Sequence, residues 1–215
     1  MFCVPPDEGP YQCIVDYCPD TTSTTLTYLF WQLARNPEWQ DRLRAELPKS
    51  QWTEQLPSYN DVTDLTVLDA VINEALRLHP AAPASLQRVV PPGGRTLNGV
   101  FVQEKTVVSM QCYTTHRDPV VFPNPDIFRP ERWMDPAAIT DSMKTLFMPF
   151  SQGTRACLGK NLAMMELKLI TASLVKDYEV GLAPGTTEES MAMTDHFLAL
   201  PKSGKCELIF TRAMR

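Results

Sequence analysis

The chain has 215 residues, 44% of them hydrophobic and 21% charged, with a net charge of −5 at pH 7. This composition suits a globular domain and excludes disorder, and the acidic balance gives nucleic acid no footing as a partner. No uninterrupted apolar run approaches the ~18 residues that a membrane span requires.

The opening "MFCVPPDEGPYQCIVDYCP" lacks the basic start and apolar core of a secretory leader. Its prolines, Pro5, Pro6, Pro10 and Pro19, forbid a long helix there. From Asp20 to Asn36, Leu26, Leu29, Phe30 and Leu33 recur at helical spacing, with Asp20 placed as N-cap. Asn36 is positioned to cap a second helix that has Pro37 at its first position and Trp39, Leu43 and Leu47 on one face. A third helix, "DLTVLDAVINEALRLH", carries Leu65, Leu68, Ile72, Ala75 and Leu76 on its apolar stripe and stops at Pro80.

Residues 85–110 change character. "SLQRVV", "TLNGVFV" and "KTVVSMQ" are short β-rich runs separated by "PPGG" and "QEK". Residues 117–149 form a long irregular stretch, of a length that marks function when it occurs inside a domain. A fourth helix, "GKNLAMMELKLITASLVKDY", is predicted to bury Leu162, Met165, Leu169 and Leu174, and the tail down to "KCELIFT" reads as a closing β-hairpin. The predicted fold class is mainly α with a small β component.

The six cysteines include no C-x-x-C pair, which argues against structural zinc and for free thiols in a reducing compartment. Cys157 stands apart, between a glycine-containing loop and the start of the fourth helix. A helix N-terminus lowers a thiol pKa, and its free N–H groups can steady a thiolate that binds metal. Gly159 leaves room for a flat ligand to approach the backbone, and Arg155 adds a positive charge. Taken alone, the stretch also fits a buried, inert cysteine. Glu74 and Arg77, three apart, share a helix face, which by itself describes an ordinary solvated ion pair.

"FSQGTRACLG", Phe150 to Gly159, resembles the haem-binding loop of the cytochrome P450 family, F-x-x-G-x-R-x-C-x-G; Phe150, Gly153, Arg155, Cys157 and Gly159 all match. "EALR" is similar to the family's E-x-x-R, and "FRPERW" to its F-x-P-E-R-F/W element, in the same order. The resemblance implies the C-terminal part of the P450 fold over residues 20–215, preceded by an atypical leader over 1–19. It implies haem b (iron protoporphyrin IX) with Cys157 as its proximal thiolate, the ligand type that favours O–O cleavage. Arg155 and Arg88 would pair with haem propionates, and Phe150 would pack near the sulfur. Glu74, Arg77 and Arg132 would form a charge-assisted structural triad that pins the long irregular stretch. "HRDP" (His116 to Pro119) is also a family string, read here as a turn.

Asp20, Thr21 and Thr22 match the second half of the family's (A/G)-G-x-(D/E)-T-(T/S), where an acid and an alcohol relay protons for dioxygen cleavage. Tyr17, Cys18 and Pro19 depart from its first half, which favours a capping role for Asp20 over a relay. The implied reaction inserts one atom of O2 into a small apolar substrate, with electrons from an NADPH-dependent reductase. A full-length parent would sit at the endoplasmic reticulum membrane. Family members are well over twice this length, so the chain reads as truncated, and the wording is most like filamentous-fungal members. The alternatives are a non-catalytic remnant, or a haem-thiolate isomerase or dehydratase, a class that tends to lack the acid–alcohol pair.

Overall fold

The computed structural model describes residues 2–4, 11–16, 21–47 and 57–213, the first two segments as backbone alone. Strands β1 (Phe2–Val4) and β2 (Tyr11–Asp16) precede helices α1 (Thr21–Arg35), α2 (Pro37–Glu46), α3 (Tyr59–Val62) and α4 (Thr66–Leu78). Four short strands follow: β3 (Ser85–Val89), β4 (Arg95–Leu97), β5 (Val100–Val102) and β6 (Val107–Gln111). Helix α5 (Cys112–Thr115) leads into the irregular stretch, which contains a 3-10 turn at Pro130–Trp133 and helix α6 (Asp141–Leu146). Helix α7 (Lys160–Asp177) is followed by β7 (Tyr178–Leu182), β8 (Met193–His196), β9 (Leu198–Pro201) and β10 (Lys205–Arg212). The fold is mainly helical with small antiparallel sheets.

The periodicities read for α1, α2 and α4 correspond to their buried faces. Leu29, Phe30 and Leu33 of α1 are buried, as are Trp39 and Leu43 of α2 and Leu47 just beyond it. Helix α4 is the most enclosed. Besides Leu68, Ile72, Ala75 and Leu76 it buries Val71, Leu78 and both charged residues Glu74 and Arg77. A fully buried leucine or isoleucine contributes about 1.5–3 kcal/mol relative to exposure, so α4 anchors the core. Its first turn is closed from outside: Glu46 accepts the backbone N–H groups of Val67 and Leu68. Negative charge at a helix start is favourable both as a cap and against the dipole.

Three expectations need correction. Asn36 precedes α2 as anticipated, but its side chain donates back to the Gln32 carbonyl at 2.7 Å and caps nothing; its own carbonyl accepts from Trp39. Pro37 at the first position already removes one of the orphan donors. In α7 the buried stripe is Leu167, Lys168, Thr171, Ala172 and Val175, whereas Leu162 is exposed. The apolar-only stripe missed it because Lys168 is buried by an ion pair to Asp69 at 2.6 Å and a bond to the Thr63 carbonyl. The closing hairpin, finally, is not continuous. Strands β7 and β10 pair antiparallel, but a separate hairpin, β8–β9, is inserted between them. The larger sheet runs β1-β2-β10-β7, so residues 11–16 extend the sheet built by the tail.

Two histidines are buried in this frame. His79 stacks on Tyr28, with ring centroids 4.4 Å apart, and one of its ring nitrogens meets the Gln32 amide at 2.9 Å. Burial, with Arg117, Arg77 and Arg35 nearby, holds its pKa well below the usual imidazole range. Burial likewise pushes His116 down to about 4. Both rings are neutral in the fold, so between about pH 6.5 and 4 the unfolded chain binds the extra protons. Stability is therefore complete above pH 6.5 and lost as pH falls toward 4, by about 3 kcal/mol for His116 alone. Urea melts at pH 7.5 and 5 should show about 2 kcal/mol of this loss from His116, and a His116→Gln variant should show less of it.

Candidate functional site

The segment from Met148 to Gly159 is closed on itself by backbone hydrogen bonds. The N–H of Ser151 donates to the Met148 carbonyl at 2.9 Å, and that of Ala156 to the Gly153 carbonyl at 3.1 Å. The N–H of Cys157 closes the loop on the Phe150 carbonyl at 2.8 Å. Gly153 adopts φ +72°, and a Cβ there would meet nothing, so the requirement for glycine is conformational. Gly159, immediately before α7, is a different case. Its φ is ordinary, and a Cβ there would stand 4.0 Å from the Cys157 sulfur, filling space beside it.

The thiol of Cys157 is exposed, unlike those of Cys112 and Cys206; the side chains of Cys3, Cys13 and Cys18 lie outside the described residues. Cys157 borders an open cavity of about 390 Å³ lined by the loop, α7, the start of α1 and the segment from Ala81 to Leu86. Leu76, Ala81, Leu86, Phe150, Leu162 and Ala163 give it a mainly apolar wall. Arg155 also lines it and makes no hydrogen bond or ion pair among the described residues. Thr21, Thr22 and Thr25 face it from the first turns of α1, though the Thr25 hydroxyl is engaged with the Thr21 carbonyl at 2.9 Å. Asp20 lies outside the described residues. Arg88 is exposed on β3, where alternation gives it the same strand face as the cavity-lining Leu86; its guanidinium bonds the Gln87 carbonyl.

Glu74, Arg77 and Arg132 come together beside α4. Glu74 receives Arg77 Nε and Nη2, both at 2.8 Å, and Arg132 Nε at 3.1 Å. Two further donors reach the same carboxylate, the Trp133 indole N–H and the Arg129 backbone N–H, each at 2.9 Å. The remaining donors of Arg77 bond the carbonyls of His116, Pro125 and Ile127, so all five N–H groups of this fully buried guanidinium are used. Arg132 also holds the Asn124 carbonyl at 2.9 Å. The buried charges thus staple the irregular stretch to α4, and irregular backbone that would otherwise be costly to order is satisfied.

The sequence of this chain matches the pattern of the cytochrome P450 family over residues 18–208. The chain belongs to the cytochrome P450 family. Among curated P450 relatives it is 38% identical to the cytochrome P450 monooxygenase aflV of Aspergillus parasiticus, over 88% of this chain and 37% of that protein. It is 42% identical to the cytochrome P450 monooxygenase tazI of Aspergillus terreus, over 87% of this chain and 38% of that one. The P450 chain therefore spans somewhat over a third of the length of the curated relatives it matches. Among solved structures, the retinoic acid-bound cyanobacterial CYP120A1 superposes with a TM-score of 0.79 at 26% identity, covering 90% of this chain and 43% of that one.

Some of the site was not singled out from sequence. Glu166, half-buried, reaches the cavity from α7 and has no ion pair among the described residues. It follows Gly159, Leu162 and Ala163 at helical spacing, a stripe that reads as cavity lining once Gly159 is placed at the site. Trp133 was read only as part of a motif, although a half-buried indole N–H needs an acceptor and the buried Glu74 offers one.

Proposed function

We propose that this P450 chain is the haem-holding part of a haem-thiolate monooxygenase, with Cys157 as the thiolate ligand of haem b. The observation that carries this reading is the exposed thiol of Cys157, on a backbone-clamped loop at the wall of a mainly apolar cavity. The residues present suit a flat, iron-bearing ligand with acidic edges. The space beside the sulfur is kept clear by Gly159, and Arg155 and Arg88 are free of protein acids and available to propionates. Haem bound there would supply one-electron and dioxygen chemistry.

The chain's own residues would do the rest. Cys157 would hold the iron and donate electron density to it, while the Phe150 carbonyl fixes the Cys157 backbone. Leu76, Ala81 and Leu86 exclude water and favour a small apolar substrate. Thr21, facing the cavity from the α1 side, would offer a hydroxyl that can pass protons, with Asp20 before it as the helix cap. In the whole protein we place an NADPH-dependent reductase as electron donor, insertion of one oxygen atom from O2 as the reaction, and the endoplasmic reticulum membrane as the location.

Haemin titrated into the purified chain, then reduced under carbon monoxide, should give a thiolate-type Soret band even at partial loading. A spectrum indistinguishable from free haem at every protein concentration would overturn the reading.

A further inference from the structure

The triad and the cysteine loop are separate structures, and one residue touches both. Met148 stands at the entry to the loop, two residues before the carbonyl that holds the Cys157 N–H. Its backbone N–H donates to His116 Nε2 at 2.9 Å, and its carbonyl accepts from Cys112 Sγ at 3.3 Å. Cys112 and His116 are four apart on one face of α5 and its cap, so this short element grips both polar groups of Met148.

His116 is fully buried. Because its Nε2 accepts, a neutral ring must carry its proton on Nδ1, which lies 3.1 Å from the Arg77 carbonyl oxygen and donates to it. The ring is thus bonded at both ends, to α4 at the triad and to the loop at Met148. The ring packs at a tilt on Phe147, with centroids 5.4 Å apart; Phe147 packs on Trp133 at 4.6 Å, and Trp133 donates to Glu74. The Arg77 guanidinium in turn bonds the His116 carbonyl. The histidine is therefore held by its own backbone and side chain to the same arginine, leaving Nε2 as the one ring atom that reports toward the loop.

We propose that His116 is a positioning residue that carries the placement of the Glu74–Arg77–Arg132 triad to Cys157, by accepting the Met148 N–H while anchored on Arg77. It deepens the reading of Cys157 given above, and rests on it for its functional meaning. The requirement is chemical: the position needs an acceptor on one side and a donor on the other, rigidly spaced. A neutral imidazole supplies both, a glutamine amide supplies both less rigidly, and a leucine fills the volume with neither.

Amide hydrogen exchange on the 215-residue chain without haem tests this independently of whether haem binds. In His116→Leu, the amides of Met148 and Cys157 should exchange about tenfold faster, the change that loss of one buried hydrogen bond implies, while amides of α1 and α2 keep their protection. His116→Gln should keep the loop amides within about twofold of the parent. Parent-like exchange at Met148 and Cys157 in the leucine variant would overturn the proposal. So would loss of loop protection in a glutamine variant whose α1 and α2 stay protected. If the leucine variant loses its whole fold, the glutamine variant decides: loop protection kept supports the role, and loop protection lost overturns it. A failed haem titration alongside an intact exchange result would count against the haem reading and leave the positioning role standing.

Discussion

Replacing Cys157 with serine should abolish the thiolate-type Soret band of the reduced carbon-monoxide complex. The sulfur is exposed and its loop is held by backbone hydrogen bonds that serine leaves untouched. The substitution should therefore shift folding stability by no more than about 0.5 kcal/mol, the usual range for a surface change. A serine hydroxyl is a far poorer metal ligand than a thiolate, so the spectral loss should be complete. Cys206→Ser is the matched control. Cys206 is buried in the sheet, where burial pushes its thiol up to about 12, and the band should survive its replacement. A Cys157→Ser protein that keeps the band would assign the iron to another ligand.

The largest stability loss should come from Arg77→Ala. That change leaves the Glu74 carboxylate buried without its bidentate partner and strips three backbone carbonyls, those of His116, Pro125 and Ile127, of their donor. Removing one member of a buried pair costs about 3–5 kcal/mol, against a total stability of roughly 5–15 kcal/mol for a domain. Soluble yield and haem uptake should fall together. Arg132→Ala should cost less, because Glu74 keeps Arg77, Trp133 and the Arg129 N–H. Arg77→Lys should not rescue, since three donors on a point charge cannot replace a five-donor fork. Yield and urea midpoints for the three variants check the order. A variant that keeps its fold and its haem but loses turnover would assign the triad to chemistry.

What could be read from the sequence was whatever depends on spacing along one element. The faces of α1, α2 and α4 followed from apolar recurrence, and the Glu74–Arg77 pair from its three-residue offset. Features that depend on a partner far away in the chain escaped. The buried side of α7 includes Lys168, whose burial makes sense only once Asp69 and the Thr63 carbonyl are beside it. His116 looked like part of a turn, because its two hydrogen bonds reach residues 39 positions before it and 32 after. The β8–β9 hairpin was hidden because Met193–His196 and Leu198–Pro201 are too short to alternate convincingly. Cys157 was recognised by its neighbours in sequence; its exposure, and the cavity beside it, needed the fold.

The Glu74 carboxylate also sets a timetable for synthesis. Its partners Arg129, Arg132 and Trp133 lie 55, 58 and 59 residues further along the chain. At a translation rate of roughly 5–20 residues per second, α4 waits about 3–12 s for them. During that interval a helix meant for the centre of the molecule carries a Glu74–Arg77 pair whose other hydrogen-bond partners are still unmade, and it cannot yet dock without leaving those groups unsatisfied. Slowing elongation between Glu74 and Trp133 would lengthen the interval in which nascent chains are open to chaperones and proteases. Synonymous rare codons placed there should lower yield without altering any property of the finished protein.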